Sequence, residues 1–291
     1  MLAAAGCWSQ LIGGFFTFYG IQRGVGSISA WGDNTTAVLP ANLTGVLTAA
    51  LNEKLSCVVL SAGGTVQCYG TNAWGGLDVP LGLAGVTDID MAFTFGVVCV
   101  VAARGKVVCW GRGPMWTQVA PPADLPPAKA VVAGDEYACA LLVAGTVRCW
   151  GQAFNPASIP PPGLSSVTAI TGGSLFTCAL KADTTVVCWG QNQQIEGITP
   201  PANLTGVVSI VSGIDHICAL TASGSVVCWG GPPEAAVVPP GFIPAGQQAI
   251  QMAAAAADTC VTLSDSTIKC FGVNFQNPKT DKVPPACPRA L

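Results

Sequence analysis

The stretch VVSIVSGIDHICALTASGSVVCWG, residues 207–230, decides the fold, because the rest of the chain is a set of variations on it. A cysteine, a Gly-containing turn and a closing Cys-aromatic-Gly return about every forty residues, the self-similarity of a repeat architecture. The closing aromatic residue, each time followed by Gly, falls at Trp31, Tyr69, Trp110, Trp150, Trp189, Trp229 and Phe271, at intervals of 38, 41, 40, 39, 40 and 42 residues. The chain therefore contains seven repeats.

Within the unit, Cys218 and Cys228 flank Ala222-Ser223-Gly224, and placing the cysteines opposite each other leaves a three-residue loop with Gly last, a β-hairpin closed by a Gly bulge. The same separation of ten recurs for Cys99/Cys109, Cys139/Cys149, Cys178/Cys188 and Cys260/Cys270, whereas Cys57/Cys68 spans eleven because Ala62-Gly63-Gly64 lengthens the turn. Opposed residues of a non-hydrogen-bonded antiparallel pair come close enough for a disulfide. Fourteen cysteines could also be reduced thiols packed in a cytosolic core. The first repeat favours bridges: aligned through Gly26-Ser27-Ile28, its cysteine positions hold Gly20 and Ala30, lost together, so no half-pair is left. Cys7 and Cys287 stand outside the hairpins, and both map to the same corner of the unit. A Cys7 to Cys287 bridge would clasp the termini; a free thiol or an intermolecular bridge are the alternatives.

Each closing aromatic-Gly is followed by a variable segment, a proline-containing linker and a short apolar run such as Val207-Val208-Ser209-Ile210. Three strands per repeat follow, with the linker prolines serving as spacers between blades because they lack a donor and fix φ. The expected fold is all-β: a seven-bladed β-propeller of short, three-stranded blades occupying 1–291 as a single domain, with 273–291 returning to the first blade. Charged residues make up only 9% of the chain, against roughly a quarter in typical domains. Sheets covered on both faces explain this. The net charge of −3, with twelve Lys plus Arg scattered singly, gives no basic stripe to follow phosphates, so nucleic acid is not an expected partner.

The Gly213, His216, Cys218, Ala219, Leu220, Gly224, Val226, Cys228, Trp229, Gly230 pattern resembles the regulator of chromosome condensation repeat superfamily. The short, paired-cysteine version is most similar to the extracellular repeats of plant Crinkly-type receptor kinases, and the repeat length is similar to that of the bacterial seven-bladed β-lactamase inhibitor proteins. The resemblance implies a propeller that binds protein. It also implies an alternative, since the nuclear member is a nucleotide-exchange factor for a small GTPase, although this chain has no basic tail and carries the paired cysteines that a reducing compartment disfavours. If the chain is a receptor ectodomain, it is expected to be a fragment or a soluble relative, since the given residues after Cys287 supply neither a kinase domain nor a membrane span.

An oxidising compartment, extracellular or lumenal, is the expected location. Asn34-Thr35-Thr36, Asn42-Leu43-Thr44 and Asn203-Leu204-Thr205 fit the glycosylation acceptor pattern, making Asn34, Asn42 and Asn203 the candidate sites. Residues 2–22 carry no charge, but Gly13 to Gly20 supply half of the first hairpin. No signal peptide is therefore expected within this chain, and one upstream of Met1 or a truncated gene model is.

Catalysis has few candidate residues. The one histidine, His216, takes the position that other repeats fill with Phe18, Leu55, Val97, Tyr137, Phe176 and Asp258, which makes it a packing residue with no second histidine for a metal or a relay. A hydrolase-type carboxylate pair is conceivable from Asp135, Glu136, Asp215 or Asp258 in loops joining the first and second strands, although loop acids ordinarily serve solvation. The glycines are hairpin turns, not a phosphate loop, and no cofactor or metal is implied. The variable segments 71–79, 112–119, 152–159, 191–198 and 273–283 are the expected recognition surface, with Trp74, Met115, Trp116, Phe154 and Phe275 as large anchors for a protein or glycan partner. The alternative is that these side chains pack on the neighbouring blade. The expected molecule is a monomeric, non-catalytic binding propeller.

Overall fold

The structure, a computed structural model, describes residues 8–32, 39–40, 42–112, 120–152, 155–190 and 197–273. It contains seven antiparallel sheets of three consecutive strands each. The first strand of every sheet lies innermost: Trp8–Gly13, Val46–Leu51, Asp88–Met91, Ala128–Ala133, Val167–Gly172, Val207–Ser212 and Ala249–Ala254 pack side by side in that order, and the seventh packs against the first. This closes a seven-bladed β-propeller in which, among the described residues, no strand is exchanged between the first and last blades. Among the described residues, no helix is long and apolar enough to cross a membrane.

The chain runs up each inner strand to a loop on what we term the upper face, down the middle strand to a tight turn on the lower face, and up the outer strand to the aromatic-Gly pair. In blade 6 the middle strand His216–Thr221 and the outer strand Val226–Gly230 pair Cys218 directly with Cys228. The turn between them is the expected three-residue loop, with Thr221 N–H donating to Ser225 O and Gly224 at φ +77°.

All six hairpin cysteine pairs are bridged: Cys57 to Cys68, Cys99 to Cys109, Cys139 to Cys149, Cys178 to Cys188, Cys218 to Cys228 and Cys260 to Cys270, with Cα–Cα separations of 4.0 to 4.1 Å. The two halves of each bridge differ in setting. The middle-strand cysteines Cys57, Cys99, Cys139, Cys178, Cys218 and Cys260 are fully buried, because that strand is flanked on both sides within its sheet. Their outer-strand partners Cys68, Cys109, Cys149, Cys188, Cys228 and Cys270 are only half-buried, since the outer strand is the edge of the blade. Cys7 and Cys287 lie outside the described residues, as does the return of 274–291 to the first blade.

The expected alignment of blade 1 requires correction. Blade 1 pairs Thr17 with Gly32, Phe18 with Trp31, Tyr19 with Ala30 and Gly20 with Ser29. Tyr19 and Ala30, not Gly20 and Ala30, thus occupy the cysteine positions, and Thr17, not Phe18, is the counterpart of His216, which pairs with Gly230. The cause is the turn after Gln22, which is one residue longer than in most blades. Tyr19 and Ala30 stand eleven positions apart, as Cys57 and Cys68 do. Both cysteines are still missing together, and the Tyr19 hydroxyl takes a neighbour instead, lying 2.9 Å from Ser56 Oγ of blade 2.

The hydrophobic core is divided among the seams. Seven clusters of buried side chains each join two adjacent blades, among them Phe176, Cys178 and Leu180 against Val207, Ile210 and Trp229, and Trp8, Phe18 and Trp31 against Ala253, Ala255 and Cys260. Since each blade is covered on both sides, few positions remain for charge, which accounts for the composition.

Two sets of backbone hydrogen bonds tie seams between blades. On the lower face the hairpin glycine of one blade accepts the N–H that opens the next inner strand: Gly26 from Val46 at 2.9 Å, Gly64 from Val86 at 3.0 Å, Gly145 from Val167 at 2.9 Å and Gly224 from Ala249 at 3.0 Å. These glycines hold positive φ, and a Cβ at Gly26 would stand 2.7 Å from Val46 N, so both conformation and approach require Gly there. On the upper face Asp135 N–H donates to Ser174 O, Ser174 N–H to Ile214 O, Ile214 N–H to Ala256 O and Ala256 N–H to Phe15 O. The last of these crosses the closing seam.

The repeated tryptophan has its own role. Trp110, Trp189 and Trp229 donate their indole N–H to Gly76 O, Ala157 O and Ile198 O at 2.9, 3.0 and 3.0 Å, so each pins the linker arriving from the preceding blade. In these three blades the tryptophan before Gly joins linker and blade by this hydrogen bond, whereas the indole N–H groups of Trp31 and Trp150 make none.

At the closing seam a Cβ on Gly13 would lie 1.9 Å from Ala254 O, a backbone atom that cannot swing aside. Gly13→Ala is expected to force the first and seventh blades apart, at about 1–3 kcal/mol for overpacking. Thermal melting checks this against Gly82→Ala, where φ is +76° but no atom lies within 4 Å. If the two variants lose the same stability, the approach at Gly13 is not what closes the ring.

Candidate functional site

The upper face collects the loops between inner and middle strands together with the starts of the linkers. Its carboxylates are the candidates for chemistry, and the structure gives Asp135 structural partners. Asp135 is buried; its Oδ1 accepts from Thr94 N–H at 3.1 Å and Thr94 Oγ at 2.7 Å, and its Oδ2 from Ser174 Oγ. It thereby joins blades 3, 4 and 5. Asn52 does the same between blades 2 and 3, donating Nδ2 to Ala92 O at 3.0 Å and Phe95 O at 2.7 Å. Asp258 is buried at the start of its middle strand, opposite Gly272, while Glu136 and Asp215 are half-buried in the loops of blades 4 and 6. The four acids thus come from three different blades.

His216 is fully buried and places Nε2 2.8 Å from Thr259 Oγ1 of blade 7. Burial pushes its pKa down to about 4, so the ring is neutral at physiological pH. Gly213 precedes it because a Cβ there would lie 2.1 Å from Ala255 O and 2.4 Å from the imidazole Cε1. The Gly-x-x-His spacing is a packing arrangement at the seam of blades 6 and 7. The half-buried sulfurs of Cys68, Cys109, Cys149, Cys188, Cys228 and Cys270 are all consumed in the bridges, so no free thiol stands among the described residues. Among these residues, too, no cluster of His, Cys, Asp and Glu is suited to a metal ion.

Of the expected anchors, Trp74 is described. It is half-buried, stands edge-to-face with Phe95 at 5.9 Å between ring centroids, and accepts the Arg112 N–H on its backbone oxygen at 2.8 Å. Met115, Trp116, Phe154 and Phe275 lie outside the described residues, as does Asn34. Asn42 and Asn203 are exposed in equivalent turns, closed by Leu43 N–H to Pro40 O and Leu204 N–H to Pro201 O, just before the lower ends of inner strands. Both described sequons therefore lie toward the face opposite Trp74.

The inner strand of blade 3 carries a pair of acids that a loop-centred reading of the sequence misses. Val86-Thr87-Asp88-Ile89-Asp90-Met91 places them two residues apart in an apolar strand, hence on one face of the sheet. They line the central cavity of about 350 Å³, to which all seven inner strands contribute. Asp88 Oδ2 accepts Val131 N–H and Asp90 Oδ2 accepts Ala133 N–H, each at 2.9 Å, from the inner strand of blade 4. Burial raises Asp88 to about 6 and Asp90 to about 7, the latter raised further by the neighbouring Asp88 charge.

Two segments, 167–194 and 207–232, match the profile of the Regulator of chromosome condensation (RCC1) repeat. No curated protein matches the chain by sequence at a significant level. Solved structures do match by fold. The CRINKLY WD40 ectodomain of the Arabidopsis thaliana receptor kinase ACR4 shares 21% identity over 97% of this chain and 99% of its own, with a TM-score of 0.75. The ectodomain of the Physcomitrella patens receptor kinase CR4 shares 18% over 93% and 75%, with a TM-score of 0.71. Prp20p from Saccharomyces cerevisiae, described with its binding to Gsp1p and histones, shares 15% over 94% and 75%, with a TM-score of 0.52. These likenesses concern the fold. Repeats, blades and bridges together define an RCC1-like β-propeller whose short blades are stapled by disulfides.

Proposed function

We propose that the chain is an extracellular or lumenal, non-catalytic binding propeller, acting as a monomer and recognising a protein or glycan partner through its upper face, with Trp74, Met115, Trp116, Phe154 and Phe275 as anchors. The observation that carries this reading is a division of labour among the residues. What the repeats share is engaged in holding the ring: cysteines in hairpin bridges, glycines at blade contacts, Trp110, Trp189 and Trp229 on linkers. What differs between repeats is the linker, and linkers begin on one face. Of the side chains that could have served chemistry, Asp135 and His216 are engaged in the seams and Asp258 is buried. Six cystines favour an oxidising compartment, and the exposed Asn42 and Asn203 suit one.

The test is thiol counting on protein isolated without reductant. The twelve hairpin cysteines are expected to resist alkylation until a reductant is added; free thiols at these positions, above all at the half-buried Cys68, Cys109, Cys149, Cys188, Cys228 and Cys270, would place the protein in a reducing compartment. The alternative, regulation of a small GTPase, is favoured by the RCC1 repeat match alone. It predicts accelerated release of a fluorescent guanine nucleotide from such a GTPase, whereas the binding reading predicts no change.

A further inference from the structure

We infer that the upper face carries a saccharide subsite between blades 2 and 3, bounded by Trp74, Asp78 and Arg112, which takes a neutral pyranose unit. The inference rests on the upper-face binding reading and names a ligand for it. The linker that follows Gly70 folds against the end of the outer strand of blade 3 and leaves an open cavity of about 360 Å³, lined by Asn72, Trp74, Gly75, Asp78, Gly111 and Arg112. This falls within the roughly 300–1,000 Å³ range of small-molecule sites.

Its parts are held before any ligand arrives. The Trp74 ring is braced edge-to-face by Phe95, and its backbone oxygen is tied to Arg112 N–H. Asn72 closes the loop on itself, accepting Leu77 N–H at 2.8 Å on Oδ1 and donating Nδ2 to Asp78 Oδ1 at 2.9 Å. Gly75, at φ +74°, contributes backbone where a Cβ would stand 3.3 Å from Asp78 Oδ2, and Gly111, at φ +80°, has no Cβ because one would lie 1.8 Å from Gly96 O. Such pre-organisation lowers the ordering cost of binding.

The remaining chemistry selects the ligand. Asp78 Oδ2 has no hydrogen bond within the loop, and the exposed Arg112 guanidinium makes no ion pair among the described residues. A cavity with one uncommitted carboxylate oxygen and one uncommitted guanidinium penalises a net anion through the first and a net cation through the second. It rewards a neutral group that donates and accepts at adjacent positions. Trp74 among the lining residues adds a preference for an apolar face. A pyranose ring has both, vicinal hydroxyls on its edge and C–H bonds on its face.

The test uses the full chain and a panel of neutral gluco-, galacto-, manno- and xylo-oligosaccharides, with galacturonate and chitosan oligomers as the charged arms, read by saturation-transfer NMR and indole fluorescence. At least one neutral oligosaccharide is expected to bind, with affinity falling tenfold or more in Trp74→Ala, Asp78→Asn and Arg112→Gln while the melting temperature stays within two degrees or so of the parent. No binding by any neutral sugar, tighter binding of either charged arm, or neutral-sugar binding unchanged in all three variants would each overturn the inference. The upper-face reading fails separately, if a partner captured by the intact propeller is unaffected by bulky substitutions across all the upper loops.

Discussion

Lowering the pH from about 7 to about 4 is expected to stabilise the folded propeller by on the order of 3 kcal/mol, and Asp90→Asn is expected to remove most of that dependence. Asp88 and Asp90 have folded-state pKa values of about 6 and about 7, raised by burial against the inner strand of blade 4. In the unfolded chain both titrate near the ordinary aspartate value of about 3.9. Between about pH 4 and about pH 6 the folded state therefore holds two protons that the unfolded state has released. Stability from these groups is fully present below the unfolded value and is lost as pH rises through the folded ones.

His216 works in the opposite direction. Its folded value of about 4 lies below the unfolded value of about 6.5, so over the same range it withholds a proton that the unfolded chain takes up. Two minus one leaves one proton, or about 1.4 kcal/mol for each pH unit up to about 6, after which Asp90 and His216 nearly cancel until about 6.5. The elements packed on the Asp88–Met91 strand supply few other charges. Its neighbours Val46–Leu51 and Val98–Ala102 carry no free titratable side chain, and Ala128–Ala133 carries only the exposed Lys129. Chemical denaturation at intervals across this range checks the slope. An Asp90→Asn profile parallel to that of the parent would sink the assignment.

Complete reduction is expected to unfold the protein at room temperature. Each hairpin bridge closes a loop of ten or eleven residues, worth roughly 3 kcal/mol in the chain-entropy model, and six of them together exceed the 5–15 kcal/mol net stability of an ordinary domain. The middle-strand cystine halves, such as Cys178 and Cys218, also lie fully buried in the seam clusters, with Cys188 and Cys228 packed against the edges of those clusters. Removing a single bridge, Cys218→Ser with Cys228→Ser, should lower stability by about 2–4 kcal/mol and leave the other blades paired. Far-UV circular dichroism with and without reductant decides it; a reduced protein that melts at the oxidised temperature would show that the strands alone suffice.

The number of blades, their three strands and the hairpin bridges could be read from the sequence because each is set within one repeat of about forty residues. The register of blade 1 could not, since its longer turn shifts the pairing by one position and only the strand partners reveal that Tyr19 faces Ala30. Seam chemistry was likewise out of reach: Asp135 looks like a solvated loop acid until Thr94 and Ser174, some forty residues before and after it, are brought to its two oxygens. Asp88 and Asp90 were within reach, because alternate acids in an apolar strand must share a face, and a shared inward face in a ring is the central cavity. Trp74 stands out in the sequence by its size and its position in a variable linker that also holds Asp78, whereas Phe95 and Arg112 come from separate segments that only the fold sets beside it.

The cystines lie within blades and not between them, which bears on how the molecule recovers after heating. An oxidised chain that has lost its ring still carries six hairpins whose strands cannot slide, because each bridge joins the very pair that sets the alignment. Refolding then needs no search for strand register, only the attachment of one inner strand per hairpin and the docking of consecutive leaves along the chain. Those are contacts between neighbours in sequence at every step except the last, where the Ala249–Ala254 strand must find Trp8–Gly13. Renaturation of the oxidised protein should accordingly be fast for an all-β chain of this length, with the joining of first leaf to seventh as its slow step.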